Sequence, residues 1–250
     1  MKNPFGAAWE QLTSPAIAHR GLWSNDSAPE NSLGAFQAAC KAGYSIELDV
    51  HLTADCEAVV FHDATLERMT NVEGRLRDHT AADLAKIRLG DTDEIIPTLA
   101  EVLALVGHRA MVHIELKTPF GEVGPLEHRV SDILVDHNGP TCIIGFNPYS
   151  HAWFAQHHPQ ILRGLNSYSY KGEHAATVAP EQRRAFAALE HVPLAKPHFL
   201  ALGLDLLPSN KADTLRKDGM PVIAWTVRKP EDWDAIKDHC DNMVFEGFLA

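Results

Sequence analysis

No apolar run in this 250-residue sequence approaches the roughly 18 to 20 residues that a membrane span requires, so a soluble protein without stable membrane insertion is expected. Cysteine is scarce. Cys40, Cys56, Cys142 and Cys240 show no Cys-x-x-Cys spacing, which argues against a disulfide framework and a thiolate metal site and predicts free thiols. The start, Met1-Lys2-Asn3-Pro4, lacks the charged-then-apolar plan of a signal peptide, so no export signal is expected and the cytoplasm is the default location. Positive charge is in deficit: 22 Lys and Arg stand against 33 Asp and Glu, a net charge of −11, which disfavours a general nucleic-acid binder. A small anion can still be held locally. Neither common Gly-rich phosphate loop is present, which counts against Rossmann and P-loop readings, and there is no internal repeat or low-complexity tract. Nothing in the sequence bears on oligomeric state.

What is there begins with Ser45–Val50, Ser-Ile-Glu-Leu-Asp-Val. In a strand Ile46, Leu48 and Val50 share one face while Glu47 and Asp49 share the other. Two neighbouring carboxylates among aliphatic residues repel, and burying them unpaired would cost several kcal/mol or protonate one. A lysine or arginine from elsewhere, or a hard divalent cation, must sit beside them.

The chain around this stretch alternates strands and helices. Residues 1–15 form a lead-in, with Trp9 and Leu12 packing on the domain. Ala16–Ala18 is a short strand ending in His19-Arg20-Gly21. Asn31 caps a helix through Ala42, with Leu33, Phe36 and Cys40 on one face and Gly43 as the stop. Residues 58–62 follow the Glu47/Asp49 strand too closely for a parallel crossover, which takes about a dozen residues, so they form a hairpin extension. An inserted excursion runs over about 63–110, with a capping box at Thr98–Glu101 and a weaker one at Thr80–Asp83. Met111–Leu116 then repeats the opening pattern, with Glu115 and Lys117 sharing a face. Further strands are expected at 141–145, 161–165, 199–202, 221–227 and 242–245, and helices at 125–137, 148–157, 208–218 and 230–239. Residues 166–196, carrying Tyr168, Tyr170, Gly172 and Pro180, are expected to start as a long loop bordering a cleft. Eight strands alternating with helices in a single domain spanning 1–250 predict an α/β TIM-type (β/α)8 barrel, with a small insertion after the second strand and its active site at the strands' carboxyl ends. A doubly wound open sheet is the alternative.

The anomalous residues all fall near those carboxyl ends. Glu47, Asp49 and Glu115 make an oxygen-rich site for Mg²⁺ or Ca²⁺. His19 and His62 suit general acid and base roles, and Arg20 and Lys117 suit an anion. Together they form a kit for phosphoryl transfer, and without a nucleotide loop the hydrolysis of a phosphodiester is preferred. Trp225, at the end of a late strand, is a candidate pocket wall.

Several motifs occur in order: His19-Arg20-Gly21, Pro29-Glu30-Asn31-Ser32, Glu47-Leu48-Asp49-Val50, Thr53-Ala54-Asp55, Val59–Asp63, Leu66–Thr70 with Gly74, Ile96–Leu99, Ile114–Lys117 and Trp225-Thr226-Val227. Together they resemble the glycerophosphodiester phosphodiesterase family. The resemblance implies a TIM-type barrel with an insertion after His62-Asp63, metal ligands at Glu47, Asp49 and Glu115, and acid/base histidines at His19 and His62. It implies a small-molecule glycerophosphodiester as substrate, cleaved to glycerol 3-phosphate and an alcohol, with water or the glycerol 2-hydroxyl as first nucleophile. The chain departs from the family pattern at Cys56, where a glycine is usual, and at Gly145, where a serine is usual. It departs again at Phe245-Glu246-Gly247-Phe248, where the family tends to carry Thr-Asp and then a proline.

Among the 15 histidines, His51, His79, His108, His128, His137, His157, His158, His174 and His239 read as surface or packing residues, and Asp63 as a partner for a neighbouring histidine or a turn. Three rival functions are weaker. A lysophospholipid or sphingolipid phosphodiesterase of phospholipase D type on the same barrel would need membrane access, for which no long exposed apolar helix or basic patch is apparent. An aldolase or isomerase using Lys117 as a Schiff base leaves three carboxylates unexplained. A binding module without turnover would require a lost histidine or ligand, and none is missing.

Overall fold

The structure, a computed structural model, describes residues 5–25, 27–171, 175 and 178–250. Gly172 and His174 lie outside the described residues. Among the described residues nine strands form one sheet: β1 Ile17–Ala18, β2 Ser45–Leu52, β3 Ala58–Val60, β4 Val112–Leu116, β5 Thr141–Gly145, β6 Leu162–Ser167, β7 Phe199–Gly203, β8 Val222–Val227 and β9 Asn242–Phe245. All except β3 run parallel, and because β1 pairs with both β2 and β9 the eight close into a ring. The fold is therefore a (β/α)8 barrel, with β3 added antiparallel to β2 as a hairpin.

The period of two along each strand divides the apolar residues between two cores. Ile46, Leu48, Val50, Val112, Ile114 and Leu116 face outward and pack with the surrounding helices, whereas Ile17, Met111, Cys142, Leu162, Phe199 and Ile223 fill the barrel. Leu12, fully buried, and Trp9 close the inner core from the lead-in. At Gly164 an added Cβ would lie 2.1 Å from the Phe199 ring, so the absent side chain is what admits the phenyl group. The excursion has a cluster of its own, with Leu66, Leu76, Leu84, Leu89 and Ile96 packing on Val59 and Phe61, while helix Leu99–Val106 joins the outer core. Its capping box is present, Thr98 Oγ1 accepting from Glu101 N and Glu101 Oε2 from Thr98 N. No helix among the described residues is long and apolar enough to cross a membrane.

Two local readings change. The helix Leu33–Ala42 is capped by Ser32, whose hydroxyl accepts from Ala35 N at 3.2 Å, and not by Asn31. Asn31 has a left-handed backbone (φ 59°), and its amide is directed at Asp49 instead. Strand β6 also continues to Ser167, which takes Asn166 out of the expected loop and into the barrel wall. Cys56, the residue at a usual glycine position, likewise sits at φ 62° in the hairpin turn.

Candidate active site

Register brings the acidic residues together. Asp49 on β2 is paired with Glu115 on β4, and Glu47 lies one inward position earlier. Glu47, Asp49 and Glu115 are 3%, 1% and 8% exposed, and oxygen atoms from all three lie within 4.8 Å of one another. Two cations reach them. Lys117 Nζ lies 2.8 Å from Asp49 Oδ1 and also donates to Glu115 Oε1, while Arg20 Nε lies 3.4 Å from Asp49 Oδ2. The Arg20 backbone N–H donates to Glu47 Oε2 at 3.1 Å, from a residue at φ 57° that takes up of order 1–3 kcal/mol of backbone strain to aim it. Asn31 Nδ2 donates to Asp49 Oδ2 at 2.9 Å.

The electrostatics separate the two β2 carboxylates. Burial, reinforced by Asp49 and Glu115, pushes the Glu47 pKa well above the usual range. Burial alone would raise Asp49 too, but Lys117, His62 and Arg20 more than reverse it and hold it well below. Burial opposes the Lys117 charge, yet Asp49 and Glu115 raise its pKa above that of a free lysine. Glu47, Asp49 and Glu115 are hard oxygen donors close enough together to hold a divalent metal ion.

Both histidines are held in the same way. His62 Nδ1 is 2.5 Å from Asp63 Oδ1, and His19 Nδ1 contacts Glu246 Oε2. On each ring Nδ1 is thus occupied by a carboxylate, and Nε2 is left for chemistry; that of His19 lies 3.9 Å from Glu47 Oε2. The hydrogen bond with His19 holds the Glu246 pKa down to about 2 despite partial burial. Asp63 is tied back in turn: Arg68 Nε donates to it at 2.5 Å, Arg68 Nη2 to Glu30 at 2.6 Å, and Arg20 Nη1 to the same Glu30 oxygen at 2.8 Å. Alternating charges therefore run from Asp63 to Asp49. His51 braces this side as well, its Nε2 lying 3.0 Å from the His62 carbonyl.

Every residue singled out for the site, His19, Arg20, Glu47, Asp49, His62, Glu115, Lys117 and Trp225, lines one cavity of about 190 Å³. Sequence reasoning missed Glu246 and Asn166. Glu246 directly follows a strand's carboxyl end, where functional groups are expected, so its position was a usable signal. Asn166, whose Nδ2 donates to Glu115 Oε2 at 3.1 Å, required knowing that β6 runs past Leu165.

Comparison with known proteins gives the chain a family. Residues 19–241 match the model of the glycerophosphoryl diester phosphodiesterase family. A glycerophosphodiester phosphodiesterase of Caldanaerobacter subterraneus subsp. tengcongensis is 30% identical, the match covering 91% of this chain and 92% of that one. Another from Bacillus subtilis is 35% identical over 99% of this chain and 90% of its own length. Among solved structures, an Oleispira antarctica phosphodiesterase in complex with the product sn-glycerol-3-phosphate superposes with a TM-score of 0.80 at 23% identity, covering 95% of this chain and 94% of that chain.

Proposed function

That this chain belongs to the glycerophosphoryl diester phosphodiesterase family, and is therefore an enzyme that hydrolyses glycerophosphodiesters, is the premise from which we propose how it works. Its substrate is a small-molecule glycerophosphodiester, cleaved to glycerol 3-phosphate and an alcohol. The observation that carries the reading is the enclosure of three carboxylates, two cations and two carboxylate-paired histidines in one cavity.

Arg20 and Lys117 hold the phosphate by charge, and Trp225 walls the pocket. Glu47, Asp49 and Glu115 would hold a divalent cation, Mg²⁺ or Ca²⁺, which when bound supplies Lewis-acid neutralisation of charge on the phosphate oxygens. His19 and His62 divide the proton work through Nε2: one takes a proton from the nucleophile and the other gives one to the departing alcohol oxygen as its bond to phosphorus breaks. Glu246 and Asp63 fix the tautomers that make this possible. The nucleophile is water, or the glycerol 2-hydroxyl closing a cyclic phosphate that water then opens, and trapping of that cyclic ester distinguishes the two. Residues 1–250 act as one barrel unit with about 63–110 inserted, in the cytoplasm.

The test is release of glycerol 3-phosphate from glycerophosphocholine and glycerophosphoethanolamine, with and without EDTA and with Mg²⁺ or Ca²⁺ restored. Release that EDTA abolishes and a divalent ion restores is expected; release indifferent to EDTA would remove the cation. One observation favours a second reading, a lysophospholipid or sphingolipid diester as substrate. A groove of about 980 Å³, partly walled by Leu52, Pro119, Val123 and Leu126, shares Lys117 with the site. Failure on both small diesters by protein that binds the ion would favour it.

A further inference from the structure

The excursion packs a cluster of its own, yet its Arg68 reaches back to the catalytic groups. Chain neighbours anchor it there: Leu66 and Met69 pack in the excursion cluster with Phe61, and Thr70 Oγ1 donates to the Leu66 carbonyl at 2.9 Å. The guanidinium then grips two carboxylates at once. Nε and Nη2 donate to Asp63 Oδ2 and Oδ1 at 2.5 and 3.2 Å, while Nη1 and Nη2 donate to Glu30 Oε2 and Oε1 at 3.1 and 2.6 Å. Each carboxylate also holds a group of the site. Asp63 Oδ1 lies 2.5 Å from His62 Nδ1, and Glu30 Oε1 accepts from Arg20 Nη1 at 2.8 Å. Burial pushes the Glu30 pKa up, and the hydrogen bonds from Arg68 with the charge of Arg20 more than reverse it.

A bridge this open to solvent does little for stability, since the Arg68 side chain is 46% exposed and surface ion pairs contribute little. What it sets is direction. Without it Asp63 is free to turn from His62 and Glu30 from Arg20, and both of those groups act only where they are aimed. Lysine cannot take its place, because one ammonium group does not present a planar fork to two carboxylates. We propose that Arg68 is a positioning residue for the reaction, supplied by the excursion to lock the acid/base histidine His62 and the phosphate-binding Arg20 into one unit. The assignment rests on the phosphodiesterase reading above and gives the excursion a part in it.

The test is steady-state kinetics of the full chain on glycerophosphocholine with Mg²⁺ present. Asp63→Asn is expected to lower kcat about tenfold, Glu30→Gln to raise KM about tenfold, and Arg68→Met to do both. When Arg68→Met is combined with either carboxylate change, the constant that carboxylate governs should change no further than in the carboxylate variant alone, because the two act in series. Arg68→Lys keeps the charge without the fork; it should recover at most one of the two constants, and it carries the test if Arg68→Met does not fold. Arg88→Met, which breaks a 2.8 Å ion pair with Asp93 on the same excursion, should leave both constants within about twofold of the wild type. Additive losses in the double variants, full recovery by lysine, or a lower melting temperature in Arg68→Met with unchanged kcat and KM each overturn the role. Two further measurements follow the same contacts without turnover: calorimetric binding of sn-glycerol 3-phosphate, and the imidazole ¹⁵N shifts of His62. Arg68→Met should weaken the first and lose the Nδ1–H tautomer in the second. Both changes in a protein whose wild type leaves glycerophosphocholine intact would sink the catalytic reading alone. Turnover by the wild type with neither change, and with unaltered constants in Arg68→Met, would sink the positioning role alone.

Discussion

At the amino-terminal end of the barrel the inward side chains are Ile17, Met111, Cys142, Leu162 and Phe199, closed from below by Leu12. At the carboxyl end β2, β4, β6 and β8 instead present Glu47, Asp49, Glu115, Asn166 and Trp225. One end gains its stability by excluding water from apolar surface, and the other holds like charges together that an apolar end could not tolerate. The strands thus carry stability and chemistry on the same face, a few residues apart. Substitutions at the two ends should accordingly move different observables.

The largest effect is expected at the charged end. His19→Ala and His62→Ala should each lower kcat by about 10²–10⁴-fold, with only a small fall in melting temperature from the lost carboxylate pairing. Full turnover in either variant would take that histidine out of the acid/base pair, and a large loss of stability would show that the two ends are not separable. At the closed end, Gly164→Ala forces a methyl group into the Phe199 ring and should cost about 1–3 kcal/mol in denaturant unfolding while leaving kcat of the folded protein intact. An unchanged midpoint would mean that the inner core is looser than its packing implies. Glu246→Gln, back at the mouth, keeps the size of the side chain but removes the charge that holds His19. A fall in kcat of about tenfold, with KM little changed, is expected from steady-state kinetics on glycerophosphocholine.

The smallest effect separates the regions by pH. His151, His191 and His198, in the frame around the barrel, are pushed down to about 4 by burial. Below pH 6.5 the unfolded chain takes up these protons before the folded one does, so the stability they contribute is present above pH 6.5 and lost as pH falls toward 4. Glu246, held at about 2 against an ordinary 4.5, contributes stability present above pH 4.5 and lost as pH falls toward 2. His51 and His113, also pushed down to about 4 by burial, add to the same window, so thermal melts from pH 7.5 downward should show the buried histidines' loss first and that of Glu246 later. A flat profile between pH 6.5 and 4.5 would contradict the burial of these histidines, and Glu246→Gln should alter only the lower part.

How much of this was legible in sequence follows from the range of each interaction. The strands were legible because alternation is local: Glu47 and Asp49 stand out against Ile46 and Leu48 within a single stretch. The convergence of His19, Glu47, Asp49, His62 and Glu115 was legible because barrel strands deliver their ends to one place. The Asn31 cap was misread because the pull on that side chain comes from Asp49, a tertiary contact that outweighs local capping preference. The hold of Arg20 and Lys117 on Asp49 was anticipated only as a need for positive charge. Glu246 was noticed as a departure rather than as a partner, since 227 residues separate it from His19.

That separation has a consequence for how the enzyme comes into being. β1 is only two residues long and is clasped between β2 and β9, with the His19 N–H donating to the Phe245 carbonyl at 3.0 Å. During synthesis on the ribosome His19 emerges before any other residue of the site, and Glu246 after all of them. Until β9 arrives, the nascent chain carries its acidic cluster in an open sheet and its first histidine without a partner. Activity is thus acquired only once β9 has been made, by the same closure that completes the ring.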